Sequence, residues 1–226
     1  MDINADFGQR VVLHGPAMPW VDSPMAGVQR RMLDRVGDEV ARATSLVCYA
    51  PHSQFAPHTH GGGEEFLVLE GVFQDERGDF PVGSYVRNPP GTRHTPRSEP
   101  GCVIFVKLWQ FDPDDRTSVL TNIHKVGRID DKTRTGVAVT PLFQDAHETV
   151  QIEEWQAGIE VRQTFARGAE LLVLEGGFTD GGDQLRPLSW LRLPCSGTLS
   201  AKAGENGATL WVKRHHLRFI RTPEAT

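Results

Sequence analysis

Short apolar or alternating runs, separated by turns rich in Gly, Pro and Asp, dominate the sequence, and the 3.6-residue period of an amphipathic helix is weak. Many of these runs are rich in β-branched and aromatic residues, which favour strands. The predicted strands are 42–50, 66–69, 84–87 and 102–109 in the first half, and 160–165, 170–174, 188–193 and 208–213 in the second. Strands this short and numerous predict an all-β protein, with a closed barrel or a double-sheet sandwich in each half.

The two halves repeat one another. Residues 64–73 read EEFLVLEGVF and residues 169–178 read AELLVLEGGF, with seven of ten positions identical at an offset of 105. SYVRNP at 84–89 matches SWLRLP at 189–194 at the same offset, and EPGCVIFVKL at 99–108 matches ENGATLWVKR at 205–214 at an offset of 106. Three matches in the same order indicate a tandem of two similar units.

A charged, turn-rich stretch at 111–135 separates the two units. We therefore predict one domain over residues 1–118 and a second over residues 119–226. A chain of 226 residues is long enough for two domains of ordinary size.

Candidate chemistry is concentrated in the first unit. His58 and His60 lie two residues apart, so on a strand their side chains point to the same face. Three glycines follow, then Glu64, and a Pro-Pro-Gly turn precedes His94. Three imidazoles and one carboxylate form a mixed nitrogen and oxygen site that suits zinc, manganese, iron(II), nickel or cobalt better than calcium or magnesium.

Two neighbouring glutamates compete for the carboxylate position. Glu64 and Glu65 point to opposite faces if both lie on the strand. In the second unit the counterpart of Glu64 is Ala169, whereas Glu65 persists as Glu170. A residue that remains where the histidines are missing is better explained by a structural role, so we predict Glu64 as the ligand.

The second unit lacks the whole ligand set. At the offset of 105, the residues that replace His58, His60, Glu64 and His94 are Gln163, Phe165, Ala169 and Leu199. This unit therefore cannot hold the same metal. Its interior is expected to be filled by apolar side chains, with an apolar ligand pocket as the alternative.

Composition restricts the range of functions. The net charge is -5 and no basic stripe is present, so we expect no nucleic-acid partner. No apolar run approaches the ~20 residues of a membrane span, and the first residues carry no apolar signal core, so we expect a cytoplasmic protein without membrane contact. The three cysteines are too far apart for a disulfide framework, and Cys102 is expected to be a buried inert thiol, with oxidation sensing near the metal as the alternative.

The motif H-x-H-x3-E-x6-G from His58 to Gly71, followed by G-x5-P-x-G-x2-H from Gly83 to His94, resembles the two cupin motifs. The sequence of residues 28–110 is similar to those of the ChrR-like cupin group. This resemblance implies two tandem cupin barrels of the jelly-roll type and one divalent transition metal on the predicted ligands, with zinc preferred and iron, manganese and nickel as alternatives.

Two functions follow from the resemblance. The first is a regulatory or sensory cupin related to the anti-sigma factors of extracytoplasmic-function sigma factors, responding to metal or to a small molecule. The second is an Fe(II) dioxygenase of the acetylacetone-cleaving type, which is similar around the metal. The zinc-binding anti-sigma module carries His-x3-Cys-x2-Cys, but this sequence has no Cys-x2-Cys and no cysteine before Cys48. A sigma factor, a small-molecule ligand and a second copy of the chain stay open as partners, and no catalytic residue is predicted.

Overall fold

The computed structural model describes residues 1–38 and 40–223. Regular structure there is almost entirely β, and its helical parts are two short 3-10 turns, Gly15–Ala17 and His216–Arg218. The predicted all-β class is confirmed. No helix in the described ranges has the length and hydropathy that crossing a bilayer requires.

The strands form two similar large sheets, one in each half of the fold, and a separate two-stranded sheet. In chain order they are β1 (Val11–His14), β2 (Val21–Asp22), β3 (Val28–Gly37), β4 (Ala41–Tyr49), β5 (Ser53–Gln54), β6 (His58–Thr59), β7 (Glu64–Asp75), β8 (Gly78–Pro81), β9 (Ser84–Asn88), β10 (Arg93–His94), β11 (Arg97–Ser98), β12 (Cys102–Leu108), β13 (Val119–Asn122), β14 (Ile129–Asp130), β15 (Val137–Gln144), β16 (Thr149–Trp155), β17 (Glu160–Phe165), β18 (Ala169–Asp180), β19 (Asp183–Leu185), β20 (Ser189–Leu193) and β21 (Gly197–Arg214). The order β13-β9-β7-β12-β4-β3 in the first sheet corresponds to β1-β20-β18-β21-β16-β15 in the second. The predicted tandem of two barrels is therefore confirmed.

The chain forms two compact units that exchange one strand each. The first unit comprises Met1–Ala5, Pro19–His124 and the described residues from Arg221 on, and the second comprises Asp6–Met18 and Lys125–Ile220. Strand β1 pairs with β20 of the second unit, and β13 pairs with β9 of the first. These units differ from the predicted ranges 1–118 and 119–226, because each edge strand pairs outside the half of the sequence that contains it.

The backbone of both units requires a glycine at one equivalent position of the repeat. Gly71 and Gly176 have φ of 68° and 64°, the left-handed region that side chains disfavour. A Cβ at Gly71 would lie 2.0 Å from the Gly101 carbonyl oxygen, and one at Gly176 would lie 2.2 Å from the Gly207 oxygen. Only glycine permits this close approach between neighbouring strands.

Each unit also carries a layer of buried charges on the sheet face opposite the barrel interior. The register of β7 places Glu65 beside Arg87 of β9 and Lys107 of β12. The second unit repeats this arrangement with Glu170, Arg192 and Lys213. The exposed fraction of all six residues is 1% or less. Because buried charges are costly unless paired, these repeated trios are structural elements of both barrels.

The interiors of the two units differ. The apolar cluster of the second unit includes the residues at three of the four predicted ligand positions, Phe165, Ala169 and Leu199. The predicted filling of that interior by apolar side chains is therefore confirmed. The smaller apolar cluster of the first unit leaves those positions to polar side chains, and it contains Phe66, Phe73 and Phe80.

Candidate metal centre

Two short strands and one strand end bring the four predicted ligands together. Strand β6 pairs with β10 so that His58 lies opposite His94. His60 follows β6 directly, and Glu64 is the first residue of β7. One donor atom from each of the four residues lies within 4.8 Å of the others. His60, Glu64 and His94 are buried, whereas His58 is exposed, so the cluster is open on one side.

The separations between donor atoms fit a single ion. The Nε2 atoms of His60 and His94 are 3.2 Å apart. Glu64 Oε2 lies 3.4 Å from His60 Nε2 and 3.5 Å from His94 Nε2. Ligand atoms about 2.0–2.2 Å from a shared transition metal are separated by roughly 3.0–3.5 Å. The cluster therefore suits a divalent metal.

Outer contacts turn the lone pairs of the imidazoles inward. The Thr92 hydroxyl donates to the Pro89 carbonyl at 2.7 Å, so its oxygen accepts from His60 Nδ1, which lies 3.1 Å away. His94 Nδ1 lies 3.2 Å from Asp75 Oδ2, and this carboxylate oxygen accepts its proton. In the tautomer that has both Nδ1 atoms protonated, the two Nε2 atoms face each other as hydrogen-bond acceptors. A cation between them would resolve this conflict.

A chain of hydrogen bonds links two of the ligands from outside the cluster. Asn88 Nδ2 donates to Glu64 Oε2 at 3.0 Å, and Arg77 donates to Asn88 Oδ1 at 3.0 Å. The other nitrogen atoms of Arg77 donate to Asp75, which in turn accepts from His94. The second unit retains Asp180 at the position of Asp75 but has Gly182 and Leu193 in place of Arg77 and Asn88. The second unit, which lacks the ligands, therefore also lacks this chain of hydrogen bonds.

We expect Arg77→Ala to weaken metal binding by about 10–100-fold, the effect that outer contacts of metal ligands commonly have. The substitution removes the link between Asp75 and Asn88 and leaves all four ligands in place. Competition with a chromogenic chelator measures the affinity. Arg97→Ala removes an exposed arginine of the same unit and is the control. Equal affinities in the two variants would contradict this role for Arg77.

Local electrostatics keep the metal-binding forms of the groups populated. Burial lowers the pKa of His60, and its histidine neighbours lower it further, although Glu64 opposes the shift. The imidazole is therefore neutral near pH 7, the form that binds metal. Burial opposes ionisation of Asp75, but hydrogen bonds from His94 and Arg77 outweigh it and lower the pKa of Asp75 far below its usual range.

The structure places the two candidate glutamates on opposite faces. The Glu64 carboxylate lies among the histidines. Glu65 instead accepts a short hydrogen bond from the Tyr85 hydroxyl within the layer of buried charges. The geometry thus favours Glu64 as the carboxylate of the cluster.

The three glycines between His60 and Glu64 make room for aromatic rings. A Cβ at Gly62 would lie 2.2 Å from the Trp109 ring, and one at Gly63 would lie 2.4 Å from the Phe111 ring. Trp109 itself has φ of 59°, an uncommon conformation for a bulky residue. The loop between the ligands therefore rests directly on Trp109.

A cavity of about 420 Å³ opens beside the cluster. Its wall includes His58, His60 and Glu64 and several apolar side chains, together with Tyr49, Arg30, Arg35 and Trp109. The sequence did not indicate Arg30, Arg35 or Trp109. Strand alternation places Val28, Arg30 and Tyr49 on one face of the sheet, and this was the available signal, but alternation alone does not tell which face is the interior.

In the second unit an ion pair lies beside the position of the first histidine. Gln163 Oε1, in the counterpart of His58, accepts a hydrogen bond from Arg134 Nη1 at 3.1 Å. Arg134 also forms two hydrogen bonds with Glu153, at 2.8 and 3.0 Å. Trp155 Nε1 and Gln151 donate to the same carboxylate. These polar groups satisfy one another, which supports a structural role for this barrel.

Cys102 is buried, as expected. It lies on β12 with 4% of its surface exposed. Burial raises the pKa of its thiol to about 11, despite a hydrogen bond with Ser98 that acts in the opposite direction. A protonated buried thiol is a poor target for oxidation.

The family model of the ChrR cupin-like domain matches residues 8–112. No curated protein matches the chain. Among solved structures, a "putative dioxygenase" from Nostoc punctiforme is 14% identical with a TM-score of 0.74, over 97% of this chain and 87% of that one. YlbA from E. coli is 15% identical with a TM-score of 0.71, over 96% and 94% of the two chains. The bacterial pirin YhhW from E. coli, solved with nickel(II), is 13% identical with a TM-score of 0.63, over 92% and 99%.

At these identities the solved structures establish the fold alone. Their barrels match both halves of this chain, because the similarity covers more than nine-tenths of its length in each case. The family match adds the first repeat, which contains the four clustered ligands. The chain therefore has the fold of two tandem cupin barrels, and its residues 8–112 match the ChrR cupin-like domain family.

Proposed function

We propose that the first barrel binds one divalent transition metal, zinc in first place, through His58, His60, Glu64 and His94, and that this centre serves a regulatory or sensory role by binding a small molecule. The observation that carries the proposal is the pair of imidazole Nε2 atoms held 3.2 Å apart, with Glu64 Oε2 within 3.5 Å of both. The open side at His58 and the adjoining cavity provide room for a ligand that reaches the metal.

The regulatory part of the proposal is supported by the family of residues 8–112 and by the loss of the ligand set from the second barrel. The second barrel retains the layer of buried charges and the glycine turn but has no metal ligands. It is therefore suited to support the first barrel or to transmit a change to a partner, and not to catalyse a reaction. A sigma factor is the partner that the ChrR relationship suggests. Co-purification with a co-expressed sigma factor, compared with and without chelator, tests that partner.

A second candidate is a metal-dependent dioxygenase. Bound iron(II) would supply coordination of oxygen and substrate at its open positions. The observation that favours this candidate is the cavity next to the cluster, and a structural neighbour described as a dioxygenase supports it. Tyr49 lines the cavity, and burial, reinforced by nearby Glu64, raises the pKa of its phenol, so it would act as a neutral hydrogen-bond donor.

Metal analysis of the purified protein, followed by oxygen consumption with β-diketones after loading with iron(II), separates the two candidates. We expect about one equivalent of metal per chain. Tightly held zinc and no oxygen uptake in the iron-loaded protein would support the sensory role. Turnover that His60→Ala abolishes would replace it with the enzyme. Absence of any bound metal, before and after loading, would contradict both.

A further inference from the structure

We propose that Trp109 is a positioning residue of the metal centre, whose indole ring holds the glycine loop so that His60 and Glu64 stay together before a metal binds. This inference rests on the proposed function for what the two ligands bind. The contact between the ring and the loop is independent of the metal, because it follows from the packing around the glycines.

The loop between the two ligands consists of three glycines, at positions 61–63. Glycine loses more conformational freedom on ordering than any other residue, so three in succession do not hold a shape by themselves. A metal site whose ligands flank such a loop has to order it on binding, and this cost lowers the affinity. A contact that orders the loop in advance therefore strengthens metal binding.

Backbone conformation does not explain the first two glycines. Of the three, all of which lie in the described range 40–223, only Gly63 has φ in the left-handed region, at 78°. At Gly61 and Gly62 the Trp109 ring leaves no room for a side chain. A Cβ would lie 3.0 Å from ring atom Cζ2 at Gly61 and 2.2 Å from ring atom Cδ2 at Gly62. The ring thus extends along both residues.

Main-chain hydrogen bonds attach the segment that carries the ring to the same loop. Trp109 N donates to Gly63 O at 3.1 Å, and Phe111 N donates to Gly62 O at 3.4 Å. Trp109 is half-buried and borders the cavity beside the ligand cluster. The apolar cluster of the first unit, as far as the described residues define it, does not include Trp109. Packing in the core therefore does not account for a tryptophan here.

The second barrel retains the backbone of this arrangement. His215, the counterpart of Trp109, has φ of 76°, compared with 59° at Trp109, and its N donates to Gly168 O at 3.0 Å. Gly168 is the counterpart of Gly63 and has φ of 75°. The left-handed residue and its hydrogen bond are therefore features of the fold, present with or without metal ligands.

The side chains of the arrangement are replaced where the metal ligands are replaced. Ala166 and Arg167 stand at the positions of Gly61 and Gly62, and a histidine stands at the position of Trp109. The large ring and the two glycines that make room for it thus occur together in the barrel that has the ligands, and they are replaced together in the other. A role toward the ligand loop explains this pairing, whereas a role in the fold would have retained it.

The zinc affinity of the full-length protein, measured by competition with a chromogenic chelator, tests the role of the ring. Trp109→Ala releases the loop and should weaken zinc binding by about 10–100-fold, the usual effect of outer contacts in metal sites. Trp109→Phe keeps an aromatic ring and should recover part of the loss. Trp20→Ala removes another half-buried tryptophan of the same unit, which lies against Arg31, and should leave the affinity unchanged.

A substitution in the loop tests the same contact from the other side. Gly62→Ala introduces the Cβ that meets the ring, so it should weaken zinc binding by itself and have little further effect when it is combined with Trp109→Ala. Gly127→Ala is the control, since a Cβ there meets no heavy atom of the described residues within 4 Å. The visible spectrum of the cobalt(II)-loaded protein reports the coordination geometry, and it should change in the two loop-contact variants and not in the controls.

Hydrogen exchange of the metal-free protein keeps the two proposals apart. The backbone amides of residues 61–64 should exchange faster in Trp109→Ala than in the wild type and at the wild-type rate in Trp20→Ala. A wild-type protein that binds no metal would contradict the metal centre, and the exchange rates would still show whether the ring orders the loop.

Three results would overturn the positioning role. They are wild-type zinc affinity in Trp109→Ala, an equal effect of Gly62→Ala with and without the ring, and unchanged exchange of the loop when the ring is removed. If Trp109→Ala does not fold, Trp109→Phe and Gly62→Ala carry the test, and zinc affinity at the wild-type level in both would overturn the role.

Discussion

The double substitution His60→Ala and His94→Ala is expected to remove the metal from the protein. These two residues supply the adjacent inward-facing Nε2 atoms, and the variant retains only Glu64 and the exposed His58. A four-ligand zinc site contributes on the order of 10–16 kcal/mol, so losing two ligands should lower the affinity by at least about a thousandfold. Metal content after dialysis against a weak chelator measures the loss.

The matched control is His52→Ala with His147→Ala. Both residues are exposed histidines outside the cluster. This control distinguishes loss of the site from loss of histidine in general. Full metal content in the His60 and His94 variant would show that the metal binds elsewhere.

Replacement of Glu65 by alanine is expected to cost stability instead of metal. Glu65 lies between Arg87 and Lys107 with 1% of its surface exposed, and its carboxylate accepts a hydrogen bond from the Tyr85 hydroxyl. Removing one member of a buried ionic group leaves charge uncompensated, so the free energy of unfolding should fall by about 3–5 kcal/mol. Urea denaturation followed by tryptophan fluorescence measures this change.

Two further variants define the result. Glu70→Ala changes an exposed glutamate on the same strand and should alter stability by less than about 0.5 kcal/mol. Glu170→Ala changes the corresponding buried residue of the second barrel and should destabilise to a similar extent as Glu65→Ala. The folded fraction of Glu65→Ala should still bind metal. If Glu65→Ala lost its metal and kept its stability, the ligand would be Glu65 and not Glu64.

The repeat explains why so much of the site could be predicted from the sequence. The alternation along β7 separated the faces of Glu64 and Glu65, and the second copy showed which of them persists without histidines. The pairing of His58 with His94, and of Gln163 with Leu199, shows that the offset of 105 is a true structural equivalence. Local periodicity and internal comparison were sufficient there, because the relevant residues lie within or next to regular strands.

The features that the sequence did not reveal depend on distant segments. The cavity arginines lie on β3, and alternation gives their common face but not what that face meets. The chain from Asp75 through Arg77 to Asn88 requires the fold, although its partial loss in the second copy was a signal already present in the sequence. The pairing of β1 with β20 joins residues nearly 180 positions apart, as in Val12 with Leu191, and no local pattern encodes such a partner.

The exchange of β1 and β13 has a consequence for how such a protein could arise and be divided. Each barrel takes its edge strand from the segment that precedes the other barrel in sequence. A gene fragment cut at the midpoint would therefore encode a barrel with an unpaired sheet edge and a stray strand, a combination that invites association between copies. If one ancestral barrel was duplicated and the two copies then exchanged these edge strands, neither copy could be lost without leaving the other sheet incomplete. The second half would then remain necessary after the loss of its metal ligands, because β13, which precedes it in sequence, completes the sheet of the first half.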